Sequence, residues 1–186
     1  MIRVSRGWGA DDWEEMRIAD EAPPAKMVPL CLPALHLQPV PERRWIVPQW
    51  LPVRQVTLNY ADGGIGKTLL GMQLMASTAI GLPWCGIDVE QCPSVGLFSE
   101  DDAAEIHIRM DAIRSAYSVA FTDMADVHPI DGTGADNILA HVAGDHMMPA
   151  GRYTQLRECA LDTKARLVMI DTAATTRESR TIATPR

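Results

Sequence analysis

Eight residues, Ala61-Asp62-Gly63-Gly64-Ile65-Gly66-Lys67-Thr68, restrict this chain more than any other stretch. They stand between a β-like run, QVTLNY, and a long uncharged run of helical character, LLGMQLMASTAI. A strand that turns through glycines into a helix converges several main-chain N–H groups on one point, where the helix N-terminus adds partial positive charge. Such a turn is a cradle for phosphate. Gly63, Gly64 and Gly66 permit unusual dihedrals and let an anion approach the backbone. Lys67 then reaches the β- and γ-phosphates as a point charge, and the Thr68 hydroxyl holds Mg²⁺. Ala61 stands where the pattern usually begins with glycine. That position closes the base of the loop and does not face the phosphates, so a methyl group is tolerated. The competing reading is a glycine-rich turn that binds nothing. The GKT triplet, with a strand before it and a helix after it, favours the phosphate loop.

From Gln55 onward the chain alternates: QVTLNY as strand, the loop, LLGMQLMASTAI as helix, SVGLFS as strand, AAEIHIRMDAIRSAY as helix. A less regular stretch then runs to Pro149, followed by YTQLRECALDT as helix and RLVMI as strand. Short apolar strands alternating with helices predict an α/β fold with a mostly parallel sheet flanked by helices. In the second helix Ile106, Met110, Ile113 and Tyr117 fall on one face, the pattern of core packing. Asp102 and Glu105 at its start have the form of a capping box. Eight of the 13 prolines lie between Pro23 and Pro52. Proline removes a backbone donor, so residues 1–42 read as a loosely held arm before a core of residues 43–175 and a polar tail of 176–186.

Charge and composition set the outer bounds. At 186 residues and 47% hydrophobic, the chain suits one globular core, and a net charge of −7 gives it no overall basic footprint for nucleic acid. Residues 68–87 carry no charge and reach the length of a membrane span, but Gln73, Ser77, Thr78, Pro83 and the glycines argue against one. The N-terminus has no apolar secretory segment. Cys31, Cys85, Cys92 and Cys159 form no C-x-x-C pair, which suits reduced thiols and a cytoplasmic location.

Hydrolysis of a bound triphosphate needs an acid that supports the metal and a carboxylate that orients water. RLVMID places Asp171 at the end of an apolar strand, and SVGLFSEDD places Glu100 at the C-terminal edge of another, where open α/β sheets bind ligands. Taken alone, Asp171 reads as an ordinary polar strand end, and Glu100, with Asp101 and Asp102, as a solvated helix start. With the loop upstream, Asp171 is the expected metal partner of Thr68, and Glu100, beside Lys67, the expected catalytic group. Arg109 reads equally as a phosphate contact or as a surface ion pair. His141, Asp145 and His146 match no closed metal site, and the glycine and proline around them predict a solvated loop.

Trp45-Ile-Val-Pro48, Leu51-Pro52, VTLNYADGGIGKTLLGMQL, GLPWCG, VGLFSEDDAAEIHIRM and LVMIDT, in that order, resemble the RecA-like, AAA-family ATPases related to the plasmid replicative helicase RepA, which are also found in prophages. The resemblance covers residues 43–175. It implies ATP bound at residues 61–68, Mg²⁺ held through Thr68 and Asp171, and water activated by Glu100. It also implies homo-oligomeric rings, commonly hexamers, that act on single-stranded DNA in replication, with no membrane. Only fifteen residues, TAATTRESRTIATPR, follow Asp171. Relatives continue with further strands, one of which lies between the strand ending in Asp171 and the strand before the loop. The expectation is therefore a product truncated at its C-terminus, with a gap in the sheet and weak or absent turnover. Two other functions compete: a small-molecule phosphotransferase, which should carry an arginine-rich lid, and a non-catalytic nucleotide-binding or interaction module.

Overall fold

The computed structural model describes residues 27–143 and 146–171. Its centre is a three-stranded parallel sheet of β3 (Ser94–Phe98), β4 (Val127–Asp131) and β7 (Leu167–Asp171), in the order β4-β3-β7. The α/β class expected from the alternation is the class observed. Phe98 is opposite Asp131 on one side and Asp171 on the other, so the three strands end level and present their C-terminal residues along one edge.

Both faces of β3 are covered, and every one of its residues is buried. On one face lie α2 (Lys67–Ile80) and α3 (Ala103–Tyr117), whose Met72, Met75, Ile106, Met110 and Ile113 pack with Phe98. Three of the four residues of the α3 stripe are buried, and Tyr117 is partly so, its hydroxyl 2.6 Å from Ser77 Oγ on α2. On the other face α4 (Gly151–Asp162) sets Leu156 against Val95 and Leu97. Gly96 brings α2 close to the sheet, because a Cβ there would stand 2.6 Å from Met75 Sδ.

N-terminal to the sheet, a one-turn helix α1 (Leu32–Leu35) buries nothing. A short antiparallel hairpin, β1 (Trp45–Val47) and β2 (Leu51–Pro52), buries Ile46 and Val47 in the core beside α2. Glu90 fastens it: its N–H donates to Ile46 O at 2.8 Å, and its carboxylate receives Arg44 at 3.0 Å and Arg166 at 2.8 and 2.9 Å.

Three expectations are corrected. QVTLNY forms no strand: residues 55–60 pair with nothing among the described residues, and Val56, Leu58 and Tyr60 are 99%, 74% and 87% exposed. Alternation supplies one side of a ladder only, and a strand exists only where a neighbour accepts its N–H groups. Likewise β7 pairs with β3 alone among the described strands. The irregular stretch before Pro149 contains β4, which tolerates Pro129 because it lies at the sheet edge. The expected loop around His141 and His146 is a hairpin, β5 (Ala140–Ala143) with β6 (His146–Pro149). Asp145, most of the arm and the C-terminal tail lie outside the described residues. No described helix is long and apolar enough to cross a membrane: α2 stops at Ile80, where Gly81 takes a left-handed conformation.

Candidate functional site

The loop of residues 61–66 enters α2 through Gly66, whose φ of 89° and ψ of 20° lie in the left-handed region, as does Gly64 at φ 76°. No side chain caps α2, and no acidic residue occupies its first turn. Its N-terminal field is therefore left for an anion. α3 shows the opposite arrangement, with Asp102 accepting from Glu105 N at 2.9 Å and Asp131 from Ala103 N at 3.0 Å. Asp102 thus caps the helix as expected, while Glu105 turns its carboxylate to Arg109. Space above the loop is open: a Cβ added at Gly63, Gly64 or Gly66 would meet nothing within 4 Å.

Lys67 bends back over the loop, its Nζ donating to Ala61 O at 2.7 Å and to Asp62 O at 2.6 Å. Ala61 thus serves through its carbonyl, which alanine supplies as well as glycine. Ile65 is exposed at the crest and makes no part of the core. Thr68 Oγ1 donates to Asp171 Oδ2 at 2.6 Å, joining residues 103 positions apart. Gly71 leaves room against α2 for the tip of the Met169 side chain from β7, which an added Cβ would displace.

Glu100 and Asp101 follow β3 at the same sheet edge. Glu100 is exposed, whereas Asp101 is half-buried and ion-paired through Oδ2 to Arg109 Nη1 at 2.9 Å. Burial pushes the Asp101 carboxyl above its ordinary value; Arg109 pulls it back, and Glu105, Asp171 and Glu100 add to the rise. Arg109 also binds Glu105 at 2.7 Å, which resolves its two readings in favour of the ion pair. Sequence reasoning passed over Asp101. The signal that marks it is its place beside Glu100, with a cation two helical turns along on the same helix face.

The donor set suits Mg²⁺. A hydroxyl and a carboxylate are hard oxygen ligands already in contact. No group of three His, Cys, Asp or Glu able to hold an ion exists among the described residues. Mg²⁺ sites commonly use one or two protein ligands together with substrate phosphates and water. His141 and His146 are exposed on the hairpin and not opposite one another, each facing a different partner residue. A cavity of about 330 Å³ is lined by Ile106, His107, Met110, Phe121 and Met124 and by no residue of the loop. A phosphate cradle built of main-chain amides needs no enclosed cavity.

A glycine loop opening an uncapped helix, a lysine folded over it, and a threonine joined to the aspartate ending a neighbouring parallel strand define a P-loop nucleotide-binding domain. Comparison with protein families narrows the class: residues 22–180 match the family described as AAA domain, and the chain belongs to it. Among the curated proteins no match is found.

Proposed function

We propose that this chain binds ATP with Mg²⁺ at residues 61–68 and is the nucleotide-binding core of an ATPase of the RepA-like replicative helicase type. The Thr68–Asp171 contact carries the reading, because it brings the phosphate loop and the strand-end acid to one place. The amides of residues 63–68 and the Lys67 ammonium grip the polyphosphate. Thr68 and Asp171 hold the cation, which neutralises charge on the phosphates when bound. Glu100 lies at the sheet edge where it takes a proton from the attacking water, and the released products are ADP and phosphate. In this reading neighbouring copies form a homo-oligomeric ring, commonly of six, on single-stranded DNA in the cytoplasm, and a neighbour's arginine completes each site.

A second reading, a nucleotide-binding or interaction module without turnover, is favoured by the run 55–60 and the outer edge of β7, neither of which is paired among the described residues. Thermal melting with and without Mg-ATP tests the shared premise. Ligand at 100 times its Kd adds about 2.7 kcal/mol, a rise of several degrees for a domain of this size. Lys67→Ala should remove the rise. An unchanged melt of the parent chain, or an equal rise in the variant, contradicts the binding site. Phosphate release that Glu100→Gln abolishes then separates the ATPase from the silent module.

A further inference from the structure

Residues 27–40, MVPLCLPALHLQPV, contain no Asp, Glu, Lys or Arg, and they cover nothing in the described part of their own chain. Met27, Val28, Leu30, Leu32, Leu37 and Val40 are 67–95% exposed, and α1 among them buries no residue. The segment is nevertheless shaped: Ala34 N donates to Cys31 O and Gln38 N to Leu35 O, each at 3.0 Å. Pro29, Pro33 and Pro39 stiffen it further, so less freedom is lost when it docks. Six aliphatic side chains present on the order of 500 Å² of apolar surface. Monomeric proteins rarely leave so much in one short segment, and each partner of a stable complex buries about 800 Å².

A cleft that suits such a segment is the cavity of about 330 Å³ beside α3. Ile106 and Met110 line it from α3, Phe121 and Met124 from the 3₁₀ turn Phe121–Met124, and Val127 and Pro129 from β4. Methionines adapt to an apolar occupant. The acid at its rim, Asp131, already accepts from Ala103 N, Thr133 N and Thr133 Oγ1, and Arg114 lies over the Phe121 ring at 5.3 Å. An uncharged apolar segment therefore matches the cleft better than a charged ligand. Arm and cleft also stand at opposite edges. The arm runs into β1, which Glu90 ties to Arg166 just before β7, whereas β4 is the other edge strand of the described sheet. One copy thus offers the arm on one side and the cleft on the other, the arrangement of a head-to-tail contact.

We propose that residues 27–40 of one copy dock in the cleft between α3 and β4 of a second copy, so that the chains join head to tail. The inference rests on the reading above only in its association of copies, and it does not depend on the nucleotide. The aliphatic side chains of the arm fill the cleft, and Phe121, 43% exposed at its mouth, closes over them.

Sedimentation velocity of the whole chain over a range of concentrations tests this. The unaltered chain should form dimers and larger species. Leu32→Asp combined with Leu37→Asp removes no buried side chain and should weaken association about 10-fold or more, as should Phe121→Ser. If Phe121→Ser fails to fold, His107→Asp takes its place. Mixing the arm variant with the cleft variant is the sharper measurement, because the first keeps an intact cleft and the second an intact arm. The mixture should give one-to-one dimers that grow no further. Association undiminished in both variants overturns the inference and leaves a ring built on other surfaces, and a mixture in which no dimer returns overturns it too. A short bismaleimide should join Cys31 to His107→Cys between chains when Cys85 is replaced by serine, and a link formed only within one chain overturns the docking on a second copy. An unaltered chain that stays monomeric at every concentration overturns both this inference and the proposed association of copies. Melting with Mg-ATP, which the arm variant should leave unchanged, reports on the nucleotide site separately.

Discussion

Gly63 and Gly66 look alike in the sequence but do different work. Gly66 has φ of 89°, where a side chain is strained, whereas Gly63 stays outside the left-handed region, and neither has an atom within 4 Å of an added Cβ. Gly66→Ala should therefore cost about 1–2 kcal/mol from backbone conformation alone, and Gly63→Ala should leave stability unchanged. Urea unfolding of the two variants checks this, and equal losses would contradict it. Placement was legible wherever one local motif encodes it: the glycine turn into α2, Lys67 and Thr68 at the start of that helix, and the Asp102 cap. Asp101 and its partner Arg109 were not, because their significance depends on burial and on carboxylates from three separate segments. No local pattern records either.

Among the elements, the β1–β2 hairpin is held to the sheet by Glu90, which bridges Arg44 from before the hairpin and Arg166 from before β7. The Arg166 hydrogen bonds hold the Glu90 carboxyl below its usual value of 4.5. A lowered folded value gives stability that is present above the unfolded one and lost as pH falls through the folded one. Glu90→Gln should accordingly destabilise the chain by about 1 kcal/mol near neutral pH, a figure reduced for solvent screening of a partly exposed group. The gap from wild type should close below pH 4.5. Unfolding measured across that range checks the sign, and a gap independent of pH would refute the charge assignment. Helices α2 and α3 and strands β3 and β7 were readable in the sequence because each carries its own period and its own stop signal. β4 was hidden by Pro129, which a strand accepts only at an edge, and the His141 hairpin by the glycine and proline of HVAGDHMMPAG, a composition that also suits a loop. QVTLNY misled for the reverse reason: its alternation is that of a strand, but pairing belongs to two partners and cannot be written in one.

Across the whole molecule, order is uneven. β3 is sealed on both faces and paired on both edges, while the run 55–60 that leads into the loop is exposed and unpaired among the described residues. The site is therefore fastened from the far side, through α2 against the sheet and Thr68 on Asp171, and less by the segment that precedes it. Local stability follows such differences in burial and hydrogen bonding. Amide exchange in the free chain should accordingly be slow along residues 95–98 and fast along 55–60. The same experiment repeated with Mg-ATP addresses the central claim, that main-chain amides of the loop grip a polyphosphate. The account predicts new protection at residues 63–68, absent in Lys67→Ala. Protection that leaves 63–68 unchanged, or that appears instead around the cavity lined by His107 and Phe121, would contradict it.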